Sequence, residues 1–149
     1  MILCGIDEWE GRRSSFDDGM LGEMEREITA RIARQLRCYD SMGSYGGGEF
    51  LVVLPGCNSF NAVGMAERFC CEVFGPVVTV GNKELHLTAC FGVAGSGGRS
   101  PLVVLRNAER ALRIAGMRGG GSIERSSYDA EPDPSTLVIP VIEYEVFQR

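Results

Sequence analysis

The sequence predicts an α+β domain with helices packed on a mainly antiparallel sheet. Three observations predict it. Strand-length apolar runs alternate with helical periodicity, two hairpin turns interrupt that alternation, and 149 residues suffice for one core but not for two. A hydrophobic fraction of 44% with 23% charged residues is ordinary globular composition.

Met1 to Ile6 reads as a central strand, and Asp7 to Phe16, which holds the only tryptophan, Trp9, as polar and irregular. Asp17 or Asp18 can cap a helix whose apolar residues Leu21, Met24, Ile28, Ile32 and Leu36 recur at three- and four-residue spacing, ending near Arg37. A strand is expected at about Asp40 to Tyr45. The turn Gly46-Gly47-Gly48 then feeds a second strand, Glu49 to Leu54, whose Leu-Val-Val-Leu run suits burial on both faces. After Pro55-Gly56, Ser59 can cap a helix with Phe60, Val63, Cys70 and Phe74 on one face, stopped by Gly75-Pro76.

Val77 to Val80 and Leu85 to Val93 flank the turn Gly81-Asn82-Lys83. Ser100 as cap and Pro101 as first residue open a third helix carrying Leu102, Leu105, Ala108, Leu112 and Ala115. Gly119-Gly120-Gly121 ends it, and a short strand is expected over Ser122 to Ser126. Residues 1–127 thus form the domain. Residues 128–149 add a linker with Pro132 and Pro134, then a β-rich extension from Thr136 to Phe147 that supplies an extra strand.

A net charge of −5 and a pI near 4.9 argue against a nucleic-acid or membrane-surface binder. No segment approaches the length of a membrane span. Six cysteines without a C-x-x-C, and a single histidine, His86, support no zinc or redox motif. They point to a reducing cytoplasm. Fourteen arginines accompany the single Lys83.

The stretch Ser44-Tyr45-Gly46-Gly47-Gly48-Glu49-Phe50 resembles the signature hairpin of GGDEF domains, the family that joins two GTP molecules into cyclic di-GMP. Element order, Ala66-Glu67-Arg68 and Ala108-Glu109-Arg110-Ala111-Leu112 extend the resemblance over roughly Ile2 to Ile123. It implies the ferredoxin-like βαββαβ core shared with nucleotidyl cyclases.

The family's chemistry needs two divalent metals held by carboxylates, one from the first strand and one from the third signature position. By resemblance these positions fall on Gly5 and Gly48, neither with a side-chain oxygen. Ile6 follows as a carbonyl donor, and Asp7 matches an aspartate that usually does not ligate. The guanine-binding asparagine and aspartate fall on Arg13 and on or near Gly22. The phosphate-binding lysine becomes Glu10, and two later basic positions fall on Gly116 and Gly120. Glu49 alone remains of the acidic pair. Any one glycine reads most simply as a loop residue. Their coincidence on one inferred pocket implies a degenerate domain without cyclase activity, with no metal, no Mg²⁺ and no other cofactor.

Arg37-Cys38-Tyr39-Asp40 is an R-x-x-D, separated by five residues from the first signature glycine. That offset is similar to the family's inhibitory site, where cyclic di-GMP binds, and Arg68 stands where the family places a supporting arginine. The chemistry suits guanine, because an arginine fork can bond O6 and N7 while a carboxylate accepts from N1 and N2. R-x-x-D alone is more simply a helix-end ion pair worth about 0–1 kcal/mol; the offset and Arg68 favour a ligand site.

The expectation is a cyclic di-GMP receptor in bacterial signalling, of the kind that regulates biofilm exopolysaccharide, motility or the cell cycle. It would work with another protein or with the remainder of a larger signalling protein, because family members carry a helix before the first strand. A homodimer stays open, and no nucleic acid or direct membrane contact is expected. The alternatives are a ligand-free interaction or dimerisation module and a residual GTP-binding cyclase.

Overall fold

A computed structural model describes residues 1–127. Strand β1 (Ile2–Ile6) is the middle of a five-stranded sheet, and every other strand is placed relative to it. Helices α1 (Trp9–Ser15) and α2 (Asp18–Gln35) follow, then the hairpin β2 (Ser41–Gly46) and β3 (Glu49–Val53). Helix α3 (Ser59–Arg68) runs directly into a π-helical turn, Phe69–Val73. A small hairpin, β4 (Val78–Val80) and β5 (Lys83–Leu85), precedes β6 (Ala89–Val93), α4 (Pro101–Arg118) and β7 (Ile123–Arg125).

The sheet order is β2-β3-β1-β6-β7, with β4 and β5 forming a separate ribbon. β1 pairs antiparallel with both β3 and β6, and among the described strands only β7 runs parallel to its neighbour. The expected mainly antiparallel α+β architecture is what forms. Period-two alternation divides β1 between two layers. Ile2, Cys4 and Ile6 face the larger core with Met24, Ile28 and Ile32 of α2 and with Phe50, Phe69 and Phe91. Leu3 faces the opposite layer, packed with Val104, Ala108, Leu112 and Ala115 of α4. Each fully buried isoleucine contributes roughly 1.5–3 kcal/mol by leaving water, so α2 is held by its stripe. Its start is fixed by Asp17, whose side chain accepts from the Met20 amide at 2.8 Å.

α4 lies so close to β6 that a Cβ on Gly92 would stand 2.2 Å from the Ala108 carbonyl oxygen. A side chain there would push the helix off the sheet.

Five expectations need correction. The segment Asp7 to Phe16, expected to be irregular, contains α1, a seven-residue helix with no buried residue and therefore no apolar period to detect. Asn58, not Ser59, caps α3, accepting from the Asn61 amide at 2.7 Å. The buried face of α3 is Ala62 and Ala66, continued by Phe69 and Val73, while Phe60 is 75% exposed. Small residues let α3 approach the sheet, and the π-turn shifts the register beyond it. Leu102 at the start of α4 is likewise exposed, and Val104 takes the inward position. The run expected as one strand over Leu85 to Val93 is broken at residues 86–88, because β5 pairs only with β4 whereas β6 pairs with β1. The expected linker and C-terminal strand fall in residues 128–149, outside the described residues.

Candidate functional site

Arg37, Asp40 and Arg68 line one pocket of about 260 Å³, together with Leu54, Pro55, Gly56, Cys57, Asn61, Gly64 and Met65. Three segments build it: the turn leaving α2, the turn after β3, and the outer face of α3. The Asp40 carboxylate accepts from the Arg37 amide at 2.8 Å, and the Asp40 amide donates to the Arg37 carbonyl at 3.0 Å. These two bonds close the R-x-x-D into a turn that presents both side chains from the same place.

The Arg37 guanidinium donates to the Tyr39 hydroxyl at 2.9 Å and lies 5.9 Å from the centre of that ring. The hydroxyl bond raises the Arg37 pKa further, so the side chain stays cationic. Arg68 donates to Gln35 Oε1 at 2.9 Å, tying α3 to the end of α2. Both arginines are exposed, and among the described residues neither forms a salt bridge. The pocket therefore offers two positive forks and a carboxylate, a donor–acceptor set suited to an anionic ligand with an amide-like edge.

On the α4 side of the sheet, a larger cleft of about 600 Å³ is lined by Gly5, Asp7, Glu8, Glu49, Cys90, Glu109, Arg113 and Gly116, among others. Gly5 and Glu49 are register partners across β1 and β3. A Cβ on Gly5 would meet Leu112 at 3.5 Å and Glu49 at 3.7 Å, ordinary contacts, so position 5 points into this cleft with room for a side chain. Burial raises the Glu49 pKa, and Glu109 adds to the rise. Glu109 in turn accepts from the Tyr45 hydroxyl at 2.5 Å.

Of the remaining residues of the inferred catalytic pocket, Gly48 and Gly120 adjoin the cleft through Ile6 and Asp7, whereas Glu10, Arg13 and Gly22 stand away from it. Gly48 is buried under Trp9. Glu10 and Arg13 are exposed on α1, and Gly22 lines a separate groove between α2 and β2 with Ser44 and Phe50. Gly120 lies against Asp7. Asp7 is a brace: its carboxylate accepts from Thr88 Oγ1 at 2.6 Å, Cys90 Sγ at 3.0 Å and the Gly121 amide at 3.1 Å. Burial, with this bond to Asp7, pushes the Cys90 thiol up to about 11. Among the described residues, no group of three or more His, Cys, Asp or Glu side chains is arranged to hold a metal ion.

Sequence reasoning missed Glu109 as a cleft residue, and it missed Tyr39, Gln35 and Asn61 around the small pocket. Tyr39 could have been found, since it stands inside the R-x-x-D. Gln35 and Asn61 give no local signal, because only the fold brings the end of α2 and the face of α3 to one place.

A third cavity, of about 450 Å³, lies on the other side of the turn Leu54-Pro55-Gly56-Cys57. Met1, Val53, Asn58, Ser96, Arg99, Pro101 and Val104 complete its lining.

Comparison with known proteins agrees with the architecture and with the signature hairpin. The response regulator PleD of Caulobacter vibrioides is 29% identical over 126 residues, which cover 82% of this chain and 28% of that protein. The chain thus spans under a third of that relative's length. The GGDEF domain of YfiN (TpbB) from Pseudomonas aeruginosa superposes with a TM-score of 0.78 at 20% identity, covering 84% of this chain and 80% of that one. The GGDEF domain of DgcB from Caulobacter crescentus, solved in complex with c-di-GMP, superposes with a TM-score of 0.76 at 20% identity, covering 84% and 75%. The family model for the diguanylate cyclase GGDEF domain matches residues 1–122, and the chain belongs to that family.

Proposed function

We propose that this domain is a cyclase-inactive GGDEF domain that serves as a cyclic di-GMP receptor in bacterial signalling, with Arg37, Asp40 and Arg68 as its ligand-binding residues. The observation that carries the reading is their convergence on one pocket, although Arg68 is 28 residues from Asp40 in sequence and on a different element. A helix-end ion pair would bring Arg37 and Asp40 together but would not recruit Arg68. Cyclic di-GMP has two guanine edges and two phosphodiesters, matching a carboxylate between two arginine forks. The c-di-GMP complex of the DgcB domain supports the ligand class.

The other cleft supports the reading that the cyclase reaction is lost. Two hard cations need several oxygen ligands at a time. Gly5 and Gly48 offer none, Asp7 is committed to three hydrogen bonds, and Glu49 is half-buried beside a like charge. This donor set does not fit a two-metal centre, which supports a role that needs no Mg²⁺. Its output passes to a partner protein or to a neighbouring domain.

Calorimetry with cyclic di-GMP and with GTP tests the reading. Binding of cyclic di-GMP that is lost in the Arg37→Ala/Asp40→Ala double variant, with GTP much weaker, supports it. Equal binding by the wild type and the double variant would sink it.

A further inference from the structure

We infer that Gly64 is the floor of a nucleobase seat in the pocket of Arg37, Asp40 and Arg68. One guanine ring of the ligand lies flat on the α3 backbone there, with Met65 beside it. The inference rests on the reading of that pocket as a cyclic di-GMP site, and it adds residues to the site. Asn61, Gly64, Met65 and Arg68 all line the pocket from α3. Their i, i+3, i+4, i+7 spacing puts them on one face of the helix, whereas Ala62 and Ala66 turn into the core.

Gly64 has no reason within the fold to be glycine. It stands in the interior of a ten-residue helix, where glycine is less favourable than any residue but proline. Its backbone is helical, with no positive φ to demand it. No atom lies within 4 Å of where its Cβ would be, so no neighbour forbids a side chain. Gly92 is the contrast, because a Cβ there would strike a backbone oxygen of α4. What the missing side chain of Gly64 does is widen the pocket, leaving bare backbone between Asn61, one turn before it, and Arg68, one turn after.

That surface fits a flat aromatic ring. The amides and carbonyls of a helix interior are already paired along its axis, so the floor asks for no polar partner and offers none to a phosphate. Met65 is half-buried against the core and forms a fixed wall, and a thioether makes favourable contact with an aromatic ring. The polar groups stand around the floor instead. The Asp40 carboxylate and the Arg37 and Arg68 forks line the same pocket, the groups that guanine edges and phosphodiesters need.

Calorimetry with cyclic di-GMP on the full chain, paired with thermal melts, tests the inference through two readouts of opposite sign. Gly64→Ala and Gly64→Gln should melt at or above the wild type, since both residues are better helix formers. Gly64→Ala should nonetheless weaken binding about fivefold or more, and Gly64→Gln about fiftyfold or more, because each added carbon lifts the ring off the backbone. Phe60→Ala, on the same helix but outside the pocket, should keep the affinity within about twofold. Wild-type affinity in both Gly64 variants overturns the seat, as does an equal loss in Phe60→Ala. A Gly64 variant that melts below the wild type also overturns it, because a structural role would then account for the glycine. If the Arg37→Ala/Asp40→Ala double variant loses the ligand while both Gly64 variants keep it, the seat alone falls. If the wild type binds nothing, or the double variant binds equally, the reading of the pocket falls and the seat with it.

Discussion

The indole of Trp9 occupies the space that a side chain on Gly48 would need. A Cβ built on Gly48 stands 2.4 Å from Trp9 Cδ2, and the Gly48 backbone has φ +73°, a conformation that favours glycine. The turn and the tryptophan are matched to one another. Gly48→Asp should therefore destabilise the domain by about 1–3 kcal/mol, through overpacking and backbone strain together. Thermal melts check this. Trp9→Ala on the Gly48→Asp background should recover part of the loss, whereas Trp9→Ala alone should not stabilise. Gly48→Asp should also fail to restore cyclase turnover, since Gly5 still lacks a carboxylate.

Incubation with GTP and Mg²⁺ or Mn²⁺ should yield no cyclic di-GMP. Chromatography against a protein-free blank is the measurement, and product above that blank would contradict the assignment of the 600 Å³ cleft as inactive.

Binding at the small pocket should respond to each residue differently. Arg37→Ala removes a charged fork worth about 1.5–3 kcal/mol, so affinity for cyclic di-GMP should fall roughly ten- to a hundredfold. Asp40→Ala should cost at least as much, because its carboxylate also closes the turn on the Arg37 amide. Arg68→Ala should cost less and can shift stoichiometry from two ligands to one if it supports a stacked second molecule. Calorimetric titration reads all three.

Glu49 gives the domain a pH signature. Its carboxyl is raised by burial and by Glu109, so the folded state holds that proton more tightly than the unfolded state. The favourable contribution is complete below the ordinary carboxylate range and is lost as pH rises through the raised value. Glu49→Gln should therefore melt higher than the wild type at neutral pH, with the difference shrinking to nothing on acidification. A constant offset at every pH would show that Glu49 acts through packing rather than charge.

Much of the fold was legible because its elements carry strong periods or strong punctuation. α2 announces itself through Met24, Ile28 and Ile32, and the β2–β3 turn through three glycines, all of which adopt positive φ. α1 was not legible, since a helix that buries nothing leaves no apolar trace. α3 misled because Phe60, the most hydrophobic residue of its first turn, points to solvent while two alanines make the contact. The family resemblance singles out Arg37 and Asp40 by the offset of the R-x-x-D and Arg68 by its Ala-Glu-Arg context, and all three line one pocket. Glu10 and Arg13 stand on the exposed surface of α1, and Gly22 lines the groove between α2 and β2, positions that no local pattern in the sequence specifies.

The turn Leu54-Pro55-Gly56-Cys57 is a partition a single backbone thick, with one cavity on each side. Gly56 within it has φ +70°, and no atom lies within 4 Å of the place where its Cβ would be. A molecule that presses on one side of such a partition changes the shape available on the other. By thermodynamic reciprocity, each occupant would then alter the other's binding by the same factor. The two cavities share Leu54, Pro55, Gly56 and Cys57 as a common wall, so occupancy of one is expected to register in the affinity of the other.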